Sequence, residues 1–369
     1  MSLFNFFSNK DGLSTVVGFS IVLMILIACY TTFQAVKIPQ ICSNIELEHF
    51  KELLESMVDF LSNLKKSCFT SSTTSIKIKL SKSYPIIPFF STPSYFSCSV
   101  VSYNGEIRIK NAIATNNELR NVFDGKEIVW KCKNLKITPN YLFSTSRDVI
   151  YEYGLVGAGK TGHVAFSKLI KGNVINLYLL NDSIQVSSDF ELEDVVYCIS
   201  GGGKISITSN GLPIEIKFKS NLSLETWNES IDSKFIEELK QEGEYIVVKL
   251  APKTVYLLSL CVFGFYKTKI SQHYLIRMSP KIQVAPCNLM VEVRDIFNNP
   301  VPNSLVVFKS LNKSCILCNG SFSGFEVSEK SNFWGIAGIS VKSCKGQDTI
   351  VASIKRKDGS SYEIAFLVF

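Results

Sequence analysis

The chain has 369 residues, of which 46% are hydrophobic and only 19% charged, and its formal net charge is +7. Single hydrophobic cores usually stop growing near ~250 residues, so this length predicts two or three domains. The composition excludes an intrinsically disordered chain. Much of the positive charge comes from Lys residues that alternate with apolar ones, as in "SIKIKLSK" and "IEIKFKS". Such alternation is typical of the solvent face of strands, and we expect no nucleic-acid partner.

The first predicted element is a membrane anchor. Residues 13–36, "LSTVVGFSIVLMILIACYTTFQAV", contain no charged side chain. A helix of about 24 residues is about 36 Å long, enough to cross a bilayer core. The apolar run continues past any small-residue cleavage site, which favours a retained anchor over a cleaved secretory peptide. Lys10 and Lys37 flank the run on both sides, so the charge bias leaves its orientation undecided.

Cysteines and glycosylation sequons indicate the orientation instead. The chain has 11 cysteines; Cys29 lies in the apolar run, so an even number (11 minus 1) remains for disulfide pairing in an oxidising compartment. The N-x-[ST] sequons, which are candidate glycosylation sites, all lie in the same part of the chain. They are at Asn181, Asn221, Asn228, Asn312 and Asn319. We therefore expect a single-pass membrane protein whose bulk is extracellular.

An amphipathic helix is predicted next. Pro39 should end the apolar helix, and Ser43 followed by Glu46 forms a capping-box signature that predicts a new helix start. Apolar residues then recur three and four positions apart, at Leu47, Phe50, Leu54, Met57, Leu61 and Leu64. This single stripe must pack either on the following domain or on copies of itself, and both alternatives stay open.

From about residue 71 the hydrophobic period changes from helical to strand-like. Turn signals at Asn104-Gly105 and Asn210-Gly211 divide alternating segments into predicted strands and hairpins. One short helix is predicted in "LETWNESIDSKFIEELKQEGEY", ending near Gly243. The apolar stretch that follows is interrupted by Lys249 and Lys253, so it does not predict a second membrane span.

The last part of the sequence predicts a sandwich of antiparallel sheets. Short strands at 8 to 12 residue spacing alternate with Asn, Pro and Gly turns, as in "NLMVEVRDIFNNPVPNSLVVFKS". Asn299, Pro300 and Pro302 suit a turn between two strands, because Pro lacks the donor that a central strand needs. We place the domain boundary at Ser279-Pro280.

A phosphate-loop pattern is the sharpest motif in the chain. The stretch "GLVGAGKT", residues 154–161, fits G-x-x-x-x-G-K-[ST] at Gly154, Gly159, Lys160 and Thr161. A working loop needs a helix directly after it, yet at most two helical turns fit before Gly172. A glycine-rich hairpin turn is therefore the favoured interpretation, and nucleotide binding is the alternative.

Other candidate chemistry is weaker. Cys315 and Cys318 with Cys287 and Cys344 would complete a four-thiolate zinc site, but there is no second C-x-x-C pair. Disulfides, either across the short loop or as two bridges among these four residues, are favoured. The three histidines have no partner at ligand spacing, and we expect them to be structural or exposed. They are His49, His163 and His273. We expect no catalytic residue, metal or cofactor.

The N-terminus resembles a known family. "NKDGLSTVVGFSIVLMILIA" is similar to the start of archaeal type IV pilins and pilin-like proteins, which carry a class III signal peptide. This resemblance implies cleavage after Gly12, with Leu13 as the mature N-terminus. The rest of the chain resembles uncharacterised archaeal envelope proteins, and "VEVRDIFNNPVPNSLVVF" with "SNFWGIAGISV" resembles the immunoglobulin-like repeats of invasin-type surface adhesins. A rival anchor is a lipobox, "LIAC", which would make Cys29 a lipidated N-terminus.

Taken together, these patterns predict a mainly β protein with a long N-terminal α-helix. The expected parts are a leader peptide (1–12), a transmembrane or pilin-type helix (13–38), an amphipathic stalk helix (39–68), a β-rich extracellular domain (69–279) and an immunoglobulin-like β-sandwich (280–369). The expected function is a non-enzymatic, membrane-anchored archaeal surface protein with a structural or adhesive role. Its partners would be the membrane and other pilin-like subunits or surface proteins. The alternatives are a nucleotide-binding protein and a lipoprotein-type carbohydrate-binding module.

Overall fold

The computed structural model describes residues 10–70, 72–158, 164–165, 168–187, 191–252, 254–268 and 271–369. The first described element is one continuous helix made of α1 (Lys10–Thr32), a π-helical turn (Phe33–Lys37) and α2 (Ile38–Thr70). The predicted helix start at Ser43 is therefore wrong. Pro39 does not end the helix, because the π turn precedes it and the Ile38 N–H bonds to the Phe33 carbonyl, one residue further back than in an α-helix.

The amphipathic helix is packed on its own β domain. Most of its buried positions are spaced three and four apart, and three of the buried residues are polar ones that the apolar stripe did not include, namely Glu46, His49 and Ser67. The buried apolar residues are Ile38, Cys42, Leu53, Met57, Phe60, Leu61, Leu64 and Cys68. Leu47, which the pattern placed on the stripe, is half exposed. Of the two predicted packing partners for this helix, the structure shows the following domain of the same chain.

The middle domain is a branched network of strands with one short helix, α3 (Leu224–Ser230). The first strands are β1 (Thr73–Lys79), β2 (Ser81–Ser83), β3 (Tyr95–Lys110), β4 (Ala112–Ala114), β5 (Ile128–Pro139), β6 (Val149–Glu152), β7 (Leu155–Ala158), β8 (Val164–Ala165) and β9 (Ile170–Lys171). The remaining strands are β10 (Val174–Leu180), β11 (Gln185–Ser187), β12 (Glu191–Ser200), β13 (Ile205–Ser209), β14 (Glu215–Lys219), β15 (Ile236–Glu242), β16 (Tyr245–Leu250) and β17 (Tyr256–Gly264).

Two long strands organise this network. β3 pairs antiparallel with β5 from Cys98↔Pro139 to Ile109↔Ile128, and it also pairs with β2, β11 and β14. β17 runs parallel to β10 and antiparallel to β12 and β13. Helix α2 covers the part formed by β1, β6, β7 and β17, with the ring of Phe60 6.0 Å from that of Phe263. A larger core behind it is built around Trp227, whose ring lies 4.7 Å from that of Phe218.

Two local predictions in this domain are wrong. Asn104-Gly105 is not a turn, because β3 runs straight through it; a Cβ on Gly105 would lie 2.8 Å from the buried side chain of Asn134, so the glycine makes room across the sheet. The predicted helix ending near Gly243 stops at Ser230, and the sequence after it forms β15. Pairing with β16 outweighs the helix-forming composition of that segment.

The C-terminal domain is a sandwich of two five-stranded sheets. One sheet has the order β18 (Tyr274–Arg277), β20 (Cys287–Arg294), β25 (Ile336–Cys344), β22 (Cys315–Cys318) and β23 (Ser323–Gly324). The other has the order β19 (Ile282–Gln283), β27 (Ser361–Val368), β26 (Asp348–Lys355), β21 (Leu305–Ser310) and β24 (Glu326–Lys330). Because β18 pairs with β20, the sandwich begins before Pro280. The predicted mainly β fold with a long N-terminal helix and a β-sandwich is confirmed.

Candidate functional site

The exposed half of the long helix is the most unusual surface of the molecule. Every described side chain from residue 16 to residue 32 is exposed, and most of them are large and apolar. Within the described part of the chain, one helix is long and apolar enough to cross a membrane, with a mean hydropathy of 2.3 in its most apolar window. An uncharged helix left in water would expose a large apolar area at a high free-energy cost, so this segment indicates an apolar environment.

The turn that follows this segment contacts an uncharged loop. Tyr30 in the last turn of α1, with Phe33 and Gln34 in the π turn, packs against or hydrogen bonds to residues 84–95, "YPIIPFFSTPSY", which follow β2 and end with the first residue of β3. We call residues 84–95 the aromatic loop. Its sequence is an uncharged stretch interrupted by Pro85, Pro88 and Pro93, which has neither a strand period nor a helix period.

Glu46 connects the helix to a second loop of the middle domain. Its carboxylate accepts backbone N–H bonds from Leu142 (2.8 Å), Phe143 (3.1 Å) and Ser144 (2.6 Å), and a hydroxyl bond from Tyr84. Burial alone raises the pKa of Glu46, but the bonds from Tyr84 and this loop outweigh burial and hold its pKa below the ordinary value. The residue that the capping-box pattern assigned to a helix start instead binds a distant loop.

The next buried polar residue on the helix, His49, is also structural. Its Nδ1 lies 2.9 Å from the Tyr141 hydroxyl and its Nε2 lies 3.0 Å from the Lys79 carbonyl oxygen. Burial lowers the pKa of His49, so the imidazole is neutral at pH 7. His273 is partly buried, and His163 lies outside the described residues.

A disulfide fixes the end of the helix. Cys68, in the last turn of α2, is bonded to Cys261 of β17, and the Cys198 sulfur lies 3.9 Å from that of Cys261. Burial raises the pKa of the free Cys198 thiol to about 11. These three cysteines are the group among the described residues with metal-ligand spacing, but two of their sulfurs are engaged in the bridge. The group therefore offers a metal ion one thiol.

The four cysteines singled out in the sandwich are paired differently from either predicted arrangement. Cys315 is bonded to Cys344 on the adjacent strand, across the β22–β25 pair. Cys318 is a buried free thiol and Cys287 is a partly buried one. The short-loop bridge within C-x-x-C is not formed, because successive side chains of β22 alternate between the two faces of the sheet and adjacent strands meet at Cys315 and Cys344.

The other predicted site residues lie on helices and surface segments. Gly12 and Leu13 lie in the first turn of α1. Four sequon asparagines are exposed, namely Asn181, Asn221, Asn228 and Asn312. The fifth, Asn319, is partly buried, and its Nδ2 donates to the Ser328 carbonyl at 3.0 Å. A glycan at Asn319 would replace one of the two hydrogens of this bonded Nδ2.

The phosphate-loop match falls on a β meander. Tyr153 (φ 54°) and Gly154 (φ 104°) form the two-residue turn between β6 and β7, and residues 155–158 form the buried strand β7. A Cβ on Gly157 would lie 2.6 Å from Leu222, so this backbone faces packed side chains. Gly159, Lys160 and Thr161 lie outside the described residues. The next described element is strand β8, which pairs with β7. A phosphate loop would have a helix at this position instead.

The middle and C-terminal domains meet through a buried polar junction, which no sequence signal indicated. The Asn299 side chain donates to the Leu260 carbonyl (2.7 Å) and the Ser200 hydroxyl (2.5 Å), and it accepts from the Gly203 N–H (2.8 Å). The Ser200 hydroxyl donates to Asp295 at 2.5 Å. Burial raises the pKa of Asp295 to about 6, against the opposing effect of its hydrogen bonds.

Two further contacts hold the same junction. Arg277 donates through Nε to a Glu118 carboxylate oxygen at 2.6 Å, and its backbone N–H donates to the other oxygen at 2.8 Å. A Cβ on Gly203 would collide with the Asn298 carbonyl oxygen, so only glycine allows this close approach of the two domains. The domains are therefore joined rigidly along one face.

Comparison with known proteins gives distant matches only. No protein-family profile matches the chain, and no curated protein matches it. Domains 4 and 5 of the S-layer protein SbsC match with 14% identity over 33% of this chain and 62% of that one, at a TM-score of 0.20. The adhesin InvE of Yersinia pseudotuberculosis matches with 9% identity over 42% of this chain and 53% of that one, at a TM-score of 0.22.

A 1.5-MDa bacterial ice-binding adhesin matches with 7% identity over 82% of this chain and 90% of that one, at a TM-score of 0.14. The chain spans less than two thirds of the length of the SbsC and InvE structures. TM-scores of this size do not establish a common fold, and the function is therefore inferred from the chain's own residues.

Proposed function

We propose that the protein is a non-enzymatic, membrane-anchored surface protein in which α1 lies in the bilayer and the two β domains stand outside the cell in a structural or adhesive role. The observation that carries this proposal is the division of one continuous helix into two halves. Side chains 16–32 are all exposed, and the described contact of this half with the β body is made at its end by Tyr30, whereas from Ile38 onward one side of the helix is buried in the β body.

This division makes the helix a rigid connection. An anchor joined by a flexible linker would let the body rotate freely, whereas here α2 is packed into the core and bonded to β17 by the Cys68–Cys261 disulfide. Disulfides persist in oxidising compartments, and four of the sequons lie on exposed residues. Both features support an extracellular body.

The finer proposal is an archaeal pilin-like protein cleaved after Gly12, with other pilin-like subunits or surface proteins as partners. It rests on the N-terminal resemblance described above. Membrane fractionation followed by N-terminal sequencing of the mature protein tests it. A start at Leu13 supports pilin processing, a blocked lipidated Cys29 supports a lipoprotein, and an intact Met1 leaves a plain signal anchor. Recovery of the full-length chain in the soluble fraction would contradict membrane anchoring.

The competing function is nucleotide binding at residues 154–161. If the Gly-rich segment formed a phosphate site, the purified protein would bind a nucleoside triphosphate, and Lys160→Ala would abolish that binding. Thr254→Ala, elsewhere in the same domain, is a suitable control. Binding that is present in the parent and control but lost in the Lys160 variant would overturn the non-enzymatic proposal.

A second candidate function is carbohydrate binding by the C-terminal sandwich. Phe333 and Trp334 are 61% and 65% exposed, and their ring centroids lie 5.3 Å apart in the turn before β25. Exposed aromatic rings on a rigid turn can stack on sugar faces. Glycans that bind the parent protein should then no longer bind the Trp334→Ala variant. Phe322 is an exposed aromatic residue in another turn, and Phe322→Ala should leave this binding unchanged.

A further inference from the structure

The aromatic loop carries two side chains whose exposure has no explanation within the chain. Ile86 and Phe89 are 93% and 94% exposed, the highest values among the large hydrophobic residues that the structure describes. No residue from 84 to 95 is charged. Single exposed apolar residues are common on protein surfaces. Two almost fully exposed apolar side chains on one uncharged loop, however, favour an apolar partner.

Aromatic stacking holds this loop against the end of the apolar helix. The Phe90 ring stacks on Tyr30, with centroids 5.1 Å apart and planes at 14°, and lies 4.4 Å from the Phe33 ring. Phe90 therefore faces the helix, and Phe89 beside it points away from the body. The backbone φ of Phe89 is 66°, a value that residues other than glycine rarely adopt. This backbone conformation directs the Phe89 side chain away from the β body.

Hydrogen bonds fix the height of the loop along the helix. The Gln34 amide donates to the Ser91 carbonyl at 2.8 Å, and its oxygen accepts from the Ser91 N–H at 3.3 Å. The Tyr30 hydroxyl donates to the Phe89 carbonyl at 3.2 Å. The backbone of Phe89 is thus tied to the level of Tyr30 from two sides, and the loop cannot slide along the helix without losing these bonds.

That level coincides with the expected edge of the bilayer. A hydrocarbon core about 30 Å thick accommodates about 20 helical residues, so a span that begins at Leu13 ends near Thr32. Tyr30 then lies about 3 Å inside this edge, the depth at which aromatic side chains concentrate. Lys37, the first charged residue after the span, is exposed one to two turns further along, at the level of lipid headgroups.

We propose that the aromatic loop is a second membrane contact, in which Ile86 and Phe89 insert into the interfacial region of the lipid leaflet that faces the β body. The ligand is the boundary between phospholipid headgroups and acyl chains. This inference rests on the proposed function, because it requires α1 to span the bilayer. Two attachment points on one rigid body fix its tilt, so the β domains leave the membrane at a defined angle.

The test uses tryptophan fluorescence of the full chain in phosphatidylcholine vesicles. Phe89→Trp and, as a second variant, Ile86→Trp place a reporter on the loop. Leu212→Trp is the matched control, because Leu212 is also exposed but lies far from the aromatic loop. Its neighbour Pro213 accepts a hydrogen bond from Asn111, which follows the last residue of β3. Tyr95 is at the other end of this strand, about 50 Å away. Emission of the parent, which has 3 Trp, is subtracted.

We expect the added emission of both loop variants to shift to shorter wavelength and to lose most of its intensity when the acyl chains are brominated near the headgroup, with no change in the Leu212 variant. Loop variants that behave like the control, in protein that still floats with the vesicles, would overturn the loop proposal and leave the anchor intact. A blue shift without bromine quenching would also overturn it, since a protein partner would then cover the loop. A chain that does not float with vesicles would overturn the proposed function itself.

Discussion

The side-chain amide of Asn299 in the C-terminal domain donates to the backbone carbonyl of Leu260 in the middle domain at 2.7 Å. The same side chain accepts the Gly203 N–H and donates to Ser200, so one asparagine satisfies three groups of the other domain. All of these groups lie at a junction from which water is largely excluded. This fully buried residue therefore contributes to fixing the relative position of the two domains, together with the Ser200–Asp295 and Arg277–Glu118 contacts.

Replacing this residue should uncouple the domains. In Asn299→Ala the Leu260 carbonyl and the Gly203 N–H lose their partner in a buried site, and each unsatisfied group costs about 1–3 kcal/mol. We expect the C-terminal domain to unfold at a lower denaturant concentration and amide exchange at Gly203 to accelerate. Asn312→Ala, an exposed asparagine of the same domain, should leave both measurements unchanged. Equal stability of the two variants would show that the junction is maintained by other contacts.

The same junction should respond to pH through Asp295. Its pKa is raised from 3.8 to about 6 in the folded protein, because burial disfavours the carboxylate. Between these two values the folded state binds more protons than the unfolded state, so the free energy of unfolding falls as pH rises through this window. The expected loss from pH 4 to pH 7 is on the order of 2–3 kcal/mol.

Chemical denaturation at a series of pH values checks this prediction. Asp295→Asn has no titrating group at this position, and the decrease in stability between about pH 4 and pH 6 should shrink in that variant. Asp358→Asn, at an exposed turn of the same domain, serves as the control. An unaltered pH profile in the Asp295 variant would mean that the carboxyl group is already ionised throughout this range.

Glu46 should be essential for the attachment of the loop at residues 142–144. Glu46→Ala removes the acceptor of three backbone N–H groups, and we expect a loss of about 3 kcal/mol or more in detergent-solubilised protein. Hydrogen exchange should increase at Leu142, Phe143 and Ser144. Because the pKa of Glu46 is lowered from 4.5 in the folded state, its contribution is complete above that value and is lost as pH falls.

Glu55→Ala is the matched control for this prediction, because Glu55 lies on the exposed side of the same helix. It should change the free energy of unfolding by less than about 0.5 kcal/mol. The prediction fails if hydrogen exchange at residues 142–144 is the same in the Glu46 and Glu55 variants.

The Cys68–Cys261 disulfide should stabilise the chain strongly, because it closes a loop between residues separated by 193 positions. Loss of a bridge across so long a loop costs about 5 kcal/mol in the chain-entropy description. Cys68→Ser should therefore lower the thermal midpoint, and Cys198→Ser, which removes only the adjacent free thiol, should leave it nearly unchanged. Peptide mapping without reductant should find Cys68 linked to Cys261; a linkage of Cys198 to Cys261 would contradict the assignment.

Several elements could be predicted from the sequence because their signals are local. The uncharged run of residues 13–36 predicts an apolar helix from length and composition alone. In β14 (Glu215–Lys219) the alternation of apolar and polar residues predicts which side chains are buried, and Ile216 and Phe218 are fully buried in the structure. Gly211, with a φ of 80°, forms the turn expected at Asn210-Gly211, although β13 and β14 pair with other strands rather than with each other.

Other features depended on partners far away in the chain. Glu46 matches a local capping pattern, but its partners lie about a hundred residues further on, where a local rule cannot see them. Gly105 carries a turn signal, yet β3 continues through it because it stays paired with β5, whose buried Asn134 side chain fills the space that a Cβ would need. Cys315 pairs with Cys344 rather than with its neighbour in C-x-x-C, because strand register decides which sulfurs meet.

The sequence by itself determined the kind of fold, an apolar helix followed by strand-rich domains. Composition and hydrophobic period suffice for this, since both depend on how each residue interacts with water. Only the tertiary structure decided that helix and body form one rigid unit, that Asn299 joins the two β domains, and that Phe89 is held at the level of Tyr30. These relationships are contacts between segments distant in the chain, and packing geometry, which no local pattern encodes, selects them.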